Sequence, residues 1–99
     1  MKMTKRISKQ DVQDLEMILQ AGLFSNLLGE NSTPDQIQFI YEIVDTLRGA
    51  YNDEGIRGWF YRERTALEGK NPLDYLGSPW KPEYENAKKV LELAKSLNG

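Results

Sequence analysis

The chain has no cysteine and no histidine among its 99 residues. Disulfides, thiolate nucleophiles, the usual zinc ligand sets and histidine acid–base catalysis are excluded by that alone. No apolar run reaches the length of a membrane span and no signal-peptide pattern is visible, so a cytoplasmic location is expected. There is no glycine-rich phosphate loop, because Gly55-x-x-Gly58 falls before and within an expected helix. Asp11/Asp14 and Glu83/Glu85 have the spacing of solvated faces rather than of a paired acid and base. Catalysis is therefore not expected, and no metal or cofactor is expected either. Apolar and polar residues nowhere alternate with period two for long enough to make a strand.

Excess positive charge is missing too. The net charge is −2, which argues against a dominant phosphate-binding role. Its distribution is uneven. Residues 1–10 carry four basic groups and no acid, and residues 11–54 carry nine acids against Arg48 alone. Residues 55–70 return to a net +2. Pairing of the acidic half with the basic stretch, within the molecule, in a dimer or with a partner, and plain solvation all remain open. The 39% hydrophobic and 28% charged content is that of an ordinary soluble domain, and the length suits one core.

What is present is helical periodicity with capping signals. Met1 to Ile7 reads as a basic tail. Ser8 is positioned to cap a first helix, with Asp11 completing a capping box. Val12, Leu15, Ile18 and Leu19 form its stripe, which should end near Gly22; Leu23, Phe24, Leu27 and Leu28 continue as a short apolar helix or turn stopped by Gly29. Thr33-Pro34-Asp35-Gln36 is the clearest start signal: Thr33 caps, Pro34 opens and Gln36 reaches back. Ile37, Ile40, Tyr41, Val44, Leu47 and Tyr51 follow at helical steps, with an end expected near Gly49 to Tyr51. Asp53 is the expected cap of a third helix that turns Ile56, Trp59 and Phe60 inward, with Leu67 beyond its end. Gly58 is expected to permit a close approach. Gly69 suits a positive-φ turn, and Asn71 caps a short helix opened by Pro72, with Leu73 and Leu76 at helical spacing. After the rigid Ser78-Pro79-Trp80-Lys81-Pro82 connection, a last helix is expected from about Pro82 to Leu97. Ala87, Val90, Leu91, Ala94 and Leu97 are its inner stripe. The predicted fold is all-α, a compact bundle of about five helices, two of them short. It forms a single domain (1–99) made of a helical extension (1–32) and a principal part (33–99).

The order of parts from Trp59 onward resembles the toxin-binding domain of the Xre/MbcA/ParS-type antitoxins over residues 34–99. Trp59-Phe60 closes a helix, Arg62 to Ala66 form a polar bend, Leu67-Glu68-Gly69 form the turn and Pro72-Leu73-Asp74-Tyr75-Leu76 form the Pro-Leu-x-x-Leu helix. Trp59, Phe60, Leu67, Gly69, Pro72, Leu73 and Leu76 are thus the structural motif. The bend reads Glu63-Arg64-Thr65 where family members often carry Pro-Asn. The resemblance implies a bacterial or phage protein that neutralises a cognate RES-fold, NAD-consuming toxin by occluding its active site, with the C-terminal region packed near that site. Asn98 and Gly99 are candidate contacts on that ground. Arg62, Arg64 and Lys70 flank the bend and suit pairing with a partner's carboxylates, although solvation alone would also account for them. Trp80, between two prolines, either lies over the last helix or stands exposed as an interaction hot spot.

Many relatives join this domain to a helix-turn-helix, but only thirty-two residues stand ahead of Thr33 and the two helices expected there are acidic and leucine-rich, so a full helix-turn-helix domain is not expected. Nucleic-acid binding is unexpected without an additional domain, and the basic tail would give only salt-sensitive contact. The alternatives are a small regulatory or phage-borne interaction module with another partner, or a weak DNA-binding regulator. A homodimer through Leu23–Leu28 or the 34–51 helix is also conceivable.

Overall fold

The computed structural model describes residues 8–96. Among them are five α-helices: α1 (Lys9–Leu27), α2 (Pro34–Leu47), α3 (Asp53–Tyr61), α4 (Pro72–Leu76) and α5 (Glu85–Ser96). A single 3-10 turn, Thr65–Leu67, interrupts the connection from α3 to α4. There is no strand among the described residues, only one isolated bridge between Arg64 and Lys70. The fold is an all-α bundle.

Local chemistry starts these helices where the sequence places its caps. Ser8 and Asp11 exchange hydrogen bonds of 3.1 Å in each direction. The Thr33 hydroxyl accepts from the Gln36 amide at 3.1 Å, while Gln36 Oε1 accepts from the Thr33 amide at 2.9 Å. Each box satisfies amides that a helix start otherwise leaves bare. At α3 the cap is Asn52, whose Oδ1 accepts from the Gly55 amide at 2.8 Å, and not Asp53. Asp53 becomes the first helical residue, where its charge complements the helix dipole.

Three further boundaries differ from expectation. α1 continues to Leu27 but breaks at Gln20, with φ 66° and ψ 163°, so the two predicted pieces meet two residues before Gly22. Two residues before the break, the Ile18 carbonyl accepts from Arg57 Nη1 on α3 at 2.6 Å. α2 ends at Leu47, leaving Tyr51 in the following turn, half-buried against the core. α5 begins at Glu85, three residues after Pro82, because Lys81–Tyr84 first closes a turn through the Tyr84 amide and the Lys81 carbonyl.

The principal helix contacts close a ring: α1 on α2, α2 on α5, α5 on α4, α4 on α3 and α3 back on α1. Inside it lie Leu15, Leu19, Ile40, Ile43, Leu47, Ile56, Phe60, Leu67, Val90 and Ala94, all fully buried. The N-terminal leucines share this core with residues of the principal part. The radius of gyration, 12.7 Å, is close to the roughly 13 Å of a compact chain of this length. Leu23, Leu27 and Leu28, and Phe39, Ile40, Ile43, Val44 and Leu47 of α2, are buried in this core, while Phe24, Ile37 and Tyr41 of the same segments are half-buried.

Candidate interaction surface

The stretch from α3 to α4 is held by its own backbone. Arg64 is the hub: its carbonyl accepts from the Leu67 amide at 3.0 Å and the Gly69 amide at 2.9 Å, and its amide donates to the Lys70 carbonyl at 3.2 Å. Closing so short a loop needs positive φ, supplied by Glu68 (60°) and Gly69 (83°) in succession. Only the glycine was legible beforehand. Leu67, fully buried, plugs the loop into the core, and Asn71 Oδ1 caps α4 through the Asp74 amide at 2.7 Å. Pro72 and Leu76 are buried beneath it and Leu73 is half-buried.

Behind the loop sits the aromatic pair. Trp59 and Phe60 are buried and meet edge to face, their ring centroids 5.1 Å apart and the planes at 87°. This is the quadrupole-favoured arrangement. Arg64 folds back over the indole, its guanidinium carbon 5.0 Å from the ring centroid, and donates from Nη2 to the Trp59 carbonyl at 3.3 Å. Burial, and secondarily the charge of Arg62, lower the Arg64 pKa, with Tyr51 opposing. Arg62, Lys70 and Tyr61 stand exposed around it. The structure thus brings Arg62, Arg64 and Lys70 onto one rim.

Trp80 is elsewhere, and it is not exposed. Its ring is buried against Phe39, with centroids 5.4 Å apart, and its Nε1 donates to the Leu27 carbonyl at the end of α1 at 3.0 Å. Its carbonyl in turn accepts from Gln36 Nε2 at 2.6 Å. The indole ties α1, α2 and the connection to α5 together, so the expectation of a surface hot spot at Trp80 is corrected to a core role. Asn98 and Gly99, like the basic tail and Leu97, lie outside the described residues.

The close approach assigned to Gly58 belongs to Gly55. A Cβ at Gly55 would meet Tyr51 Cβ at 3.0 Å and Asn52 Oδ1 at 3.2 Å, whereas at Gly58 it would meet nothing within 4 Å. Gly58 instead borders a shallow groove between α1 and α3, with Leu19, Leu23, Arg57 and Tyr61. Gln20, where α1 breaks, also lines this groove, and no residue in the sequence announces that break.

Among the described residues no three His, Cys, Asp or Glu side chains converge as a metal site, and no helix is long and apolar enough to cross a membrane. The one ion pair among them, Lys95 to Glu42 at 3.5 Å, joins α5 to α2 in solvent. The acidic stretch and the basic bend are therefore not paired with each other among the described residues. No protein family, curated protein or solved structure matches the chain.

Proposed function

We propose that this protein is a binding module that neutralises a cognate toxin protein, acting by occlusion and not by catalysis. The partner suggested by the resemblance is a RES-fold enzyme that consumes NAD, with all NAD chemistry on the partner's side. Supporting the reading is the bend itself. A loop tied by three bonds to the Arg64 backbone holds Arg62, Arg64 and Lys70 on one edge of the bundle. A face that is already ordered loses little conformational entropy on association, which is what tight occlusion requires. The order Trp59-Phe60, Leu67-Glu68-Gly69, Pro72 to Leu76 carries the choice of partner class.

Co-expression tests it. The product of the neighbouring gene should arrest growth when made alone, and this protein should restore growth. Normal growth of cells making that product alone removes the support. One observation favours a second reading, a regulatory or phage-borne module with a different partner. In place of the family's usual Pro-Asn step, the bend carries Arg64 folded onto Trp59, which alters the rim. Recovery of a non-RES protein in a pull-down would favour it.

A further inference from the structure

We propose that the rim is a receptor for a carboxylate-bearing segment of the partner protein, centred on Arg64 and Trp59 and edged by Arg62 and Lys70. The inference rests on the protein-binding reading above and names the chemistry that this site takes. Two buried donors, Trp59 Nε1 and Arg64 Nε, have no acceptor. They belong to one cluster, since the guanidinium carbon lies 5.0 Å from the indole centroid. Buried N–H groups without acceptors are rare in proteins, and two together mark a place where an acceptor is missing. The single bond Arg64 does make through its side chain, to the Trp59 carbonyl at 3.3 Å, is long for an N–H donor. Arg64 is only half-buried, so its guanidinium is the part of the pair that a partner's oxygens can reach, and the Trp59 indole packed against it reports on what Arg64 meets.

Charge selects a carboxylate over a neutral carbonyl. Burial first, and then the nearby charge of Arg62, lower the Arg64 pKa against an opposing contribution from Tyr51, so two cations lie near each other on this bend. Glu63 and Glu68 are exposed on the same bend, yet neither comes within ion-pair distance of Arg62, Arg64 or Lys70. A carboxylate offers two oxygens and a charge, and guanidinium is the side chain whose donor fork matches them. A phosphate backbone fits less well. It is an extended polyanion, and α1, which packs directly on α3, belongs to a stretch carrying nine acids against one cation.

Nuclear magnetic resonance reads both donors directly in the isotopically labelled full chain. The probes are a soluble Glu-rich peptide, the same peptide with Gln at every Glu, inorganic phosphate and a short DNA duplex. The Trp80 indole N–H, already bonded to Leu27, is the internal reference. The Glu peptide should shift the Trp59 indole and Arg64 Nε–H signals saturably, the Gln peptide should not, and the Trp80 signal should stay in place. Arg64→Gln should weaken the peptide about tenfold. Should that variant lose the native Trp80 signal, Arg62→Gln and Lys70→Gln, both at exposed positions, should each weaken it about threefold. A silent Trp59 and Arg64, an equal response to the Gln peptide, or a response to phosphate or duplex at lower concentration overturns the inference. Growth rescue with a silent rim retains the toxin reading and removes this one; a responsive rim without rescue does the reverse.

Discussion

Replacing each buried tryptophan by phenylalanine should cost unequal amounts, although both rings are buried to within 4% of complete. Both changes remove the same atoms, so their transfer and cavity costs are alike to first order. The N–H groups are not alike. In Trp80→Phe the Leu27 carbonyl loses its 3.0 Å donor inside the core, and a stranded buried polar group costs about 1–3 kcal/mol. In Trp59→Phe the lost N–H has no acceptor, and removing it relieves a burial penalty. Against that, the ring beneath Arg64 becomes a weaker cation-binding face, worth roughly 0.5–1 kcal/mol at a partly exposed site. Trp80→Phe should therefore exceed Trp59→Phe by about 1–2 kcal/mol. Urea unfolding followed by far-ultraviolet circular dichroism measures both, provided the m-values agree. A Trp59→Phe cost equal to or above that of Trp80→Phe would show that the two indoles are not partnered as described.

Five other substitutions probe the scaffold. Gly55→Ala should destabilise by about 1–2 kcal/mol, because its Cβ meets Tyr51 and Asn52, whereas Gly58→Ala should stabilise by about 0.5–1 kcal/mol, because it meets nothing; the same sign for both in a thermal melt would discredit the contact. Thr33→Ala breaks the α2 capping box and should cost about 1 kcal/mol by denaturant titration, a neutral result being incompatible with the bonds to Gln36. Gln20→Gly should raise stability by about 1 kcal/mol, since φ 66° with ψ 163° lies in a region that glycine alone occupies without strain; any loss speaks against the break in α1. Leu67→Ala should cost about 2–5 kcal/mol and speed amide exchange through residues 62–70, and unchanged exchange there would mean that the loop is not anchored by this side chain.

Elements that depend on neighbours in sequence were legible, and elements that depend on neighbours in space were not. The Ser8 and Thr33 boxes, the Asn71-Pro72 start and the stripe of α3 are properties of a few consecutive residues, and the structure has them. By contrast, α2 buries Phe39 and Ile43, outside the expected stripe, and leaves Ile37 and Tyr41 half-buried, as α5 leaves Leu91. The cap of α3, expected at Asp53, is Asn52, a residue type of equal capping ability one position earlier. Trp80 had two possible environments because a linker between prolines has no periodicity to read. What chose the core was a carbonyl fifty-three positions away, on Leu27. Gly55 and Gly58 look alike in a string of letters and differ only in whether Tyr51 stands opposite. The Gln20 break is the extreme case, since a good helix former occupies a non-helical backbone conformation within a helix that packs on α3.

The rim shows why the site was half visible. Arg62, Arg64 and Lys70 were named from composition and chain position, which distinguish charged from apolar but not three solvated side chains from a working surface. Their difference is geometric. Arg62 and Lys70 project outward, while Arg64 supplies the backbone bonds that shape the loop and lays its side chain on Trp59. Arg64 thereby joins two tasks that usually fall to separate residues, since the main chain that fixes the loop carries the guanidinium that completes the rim. Removing its side chain leaves the loop bonds in place, because they run through main-chain atoms. Losses of binding and losses of fold at this position are therefore separable in principle. That separability allows the proposed carboxylate contact at Arg64 to be tested apart from the stability of the bundle that presents it.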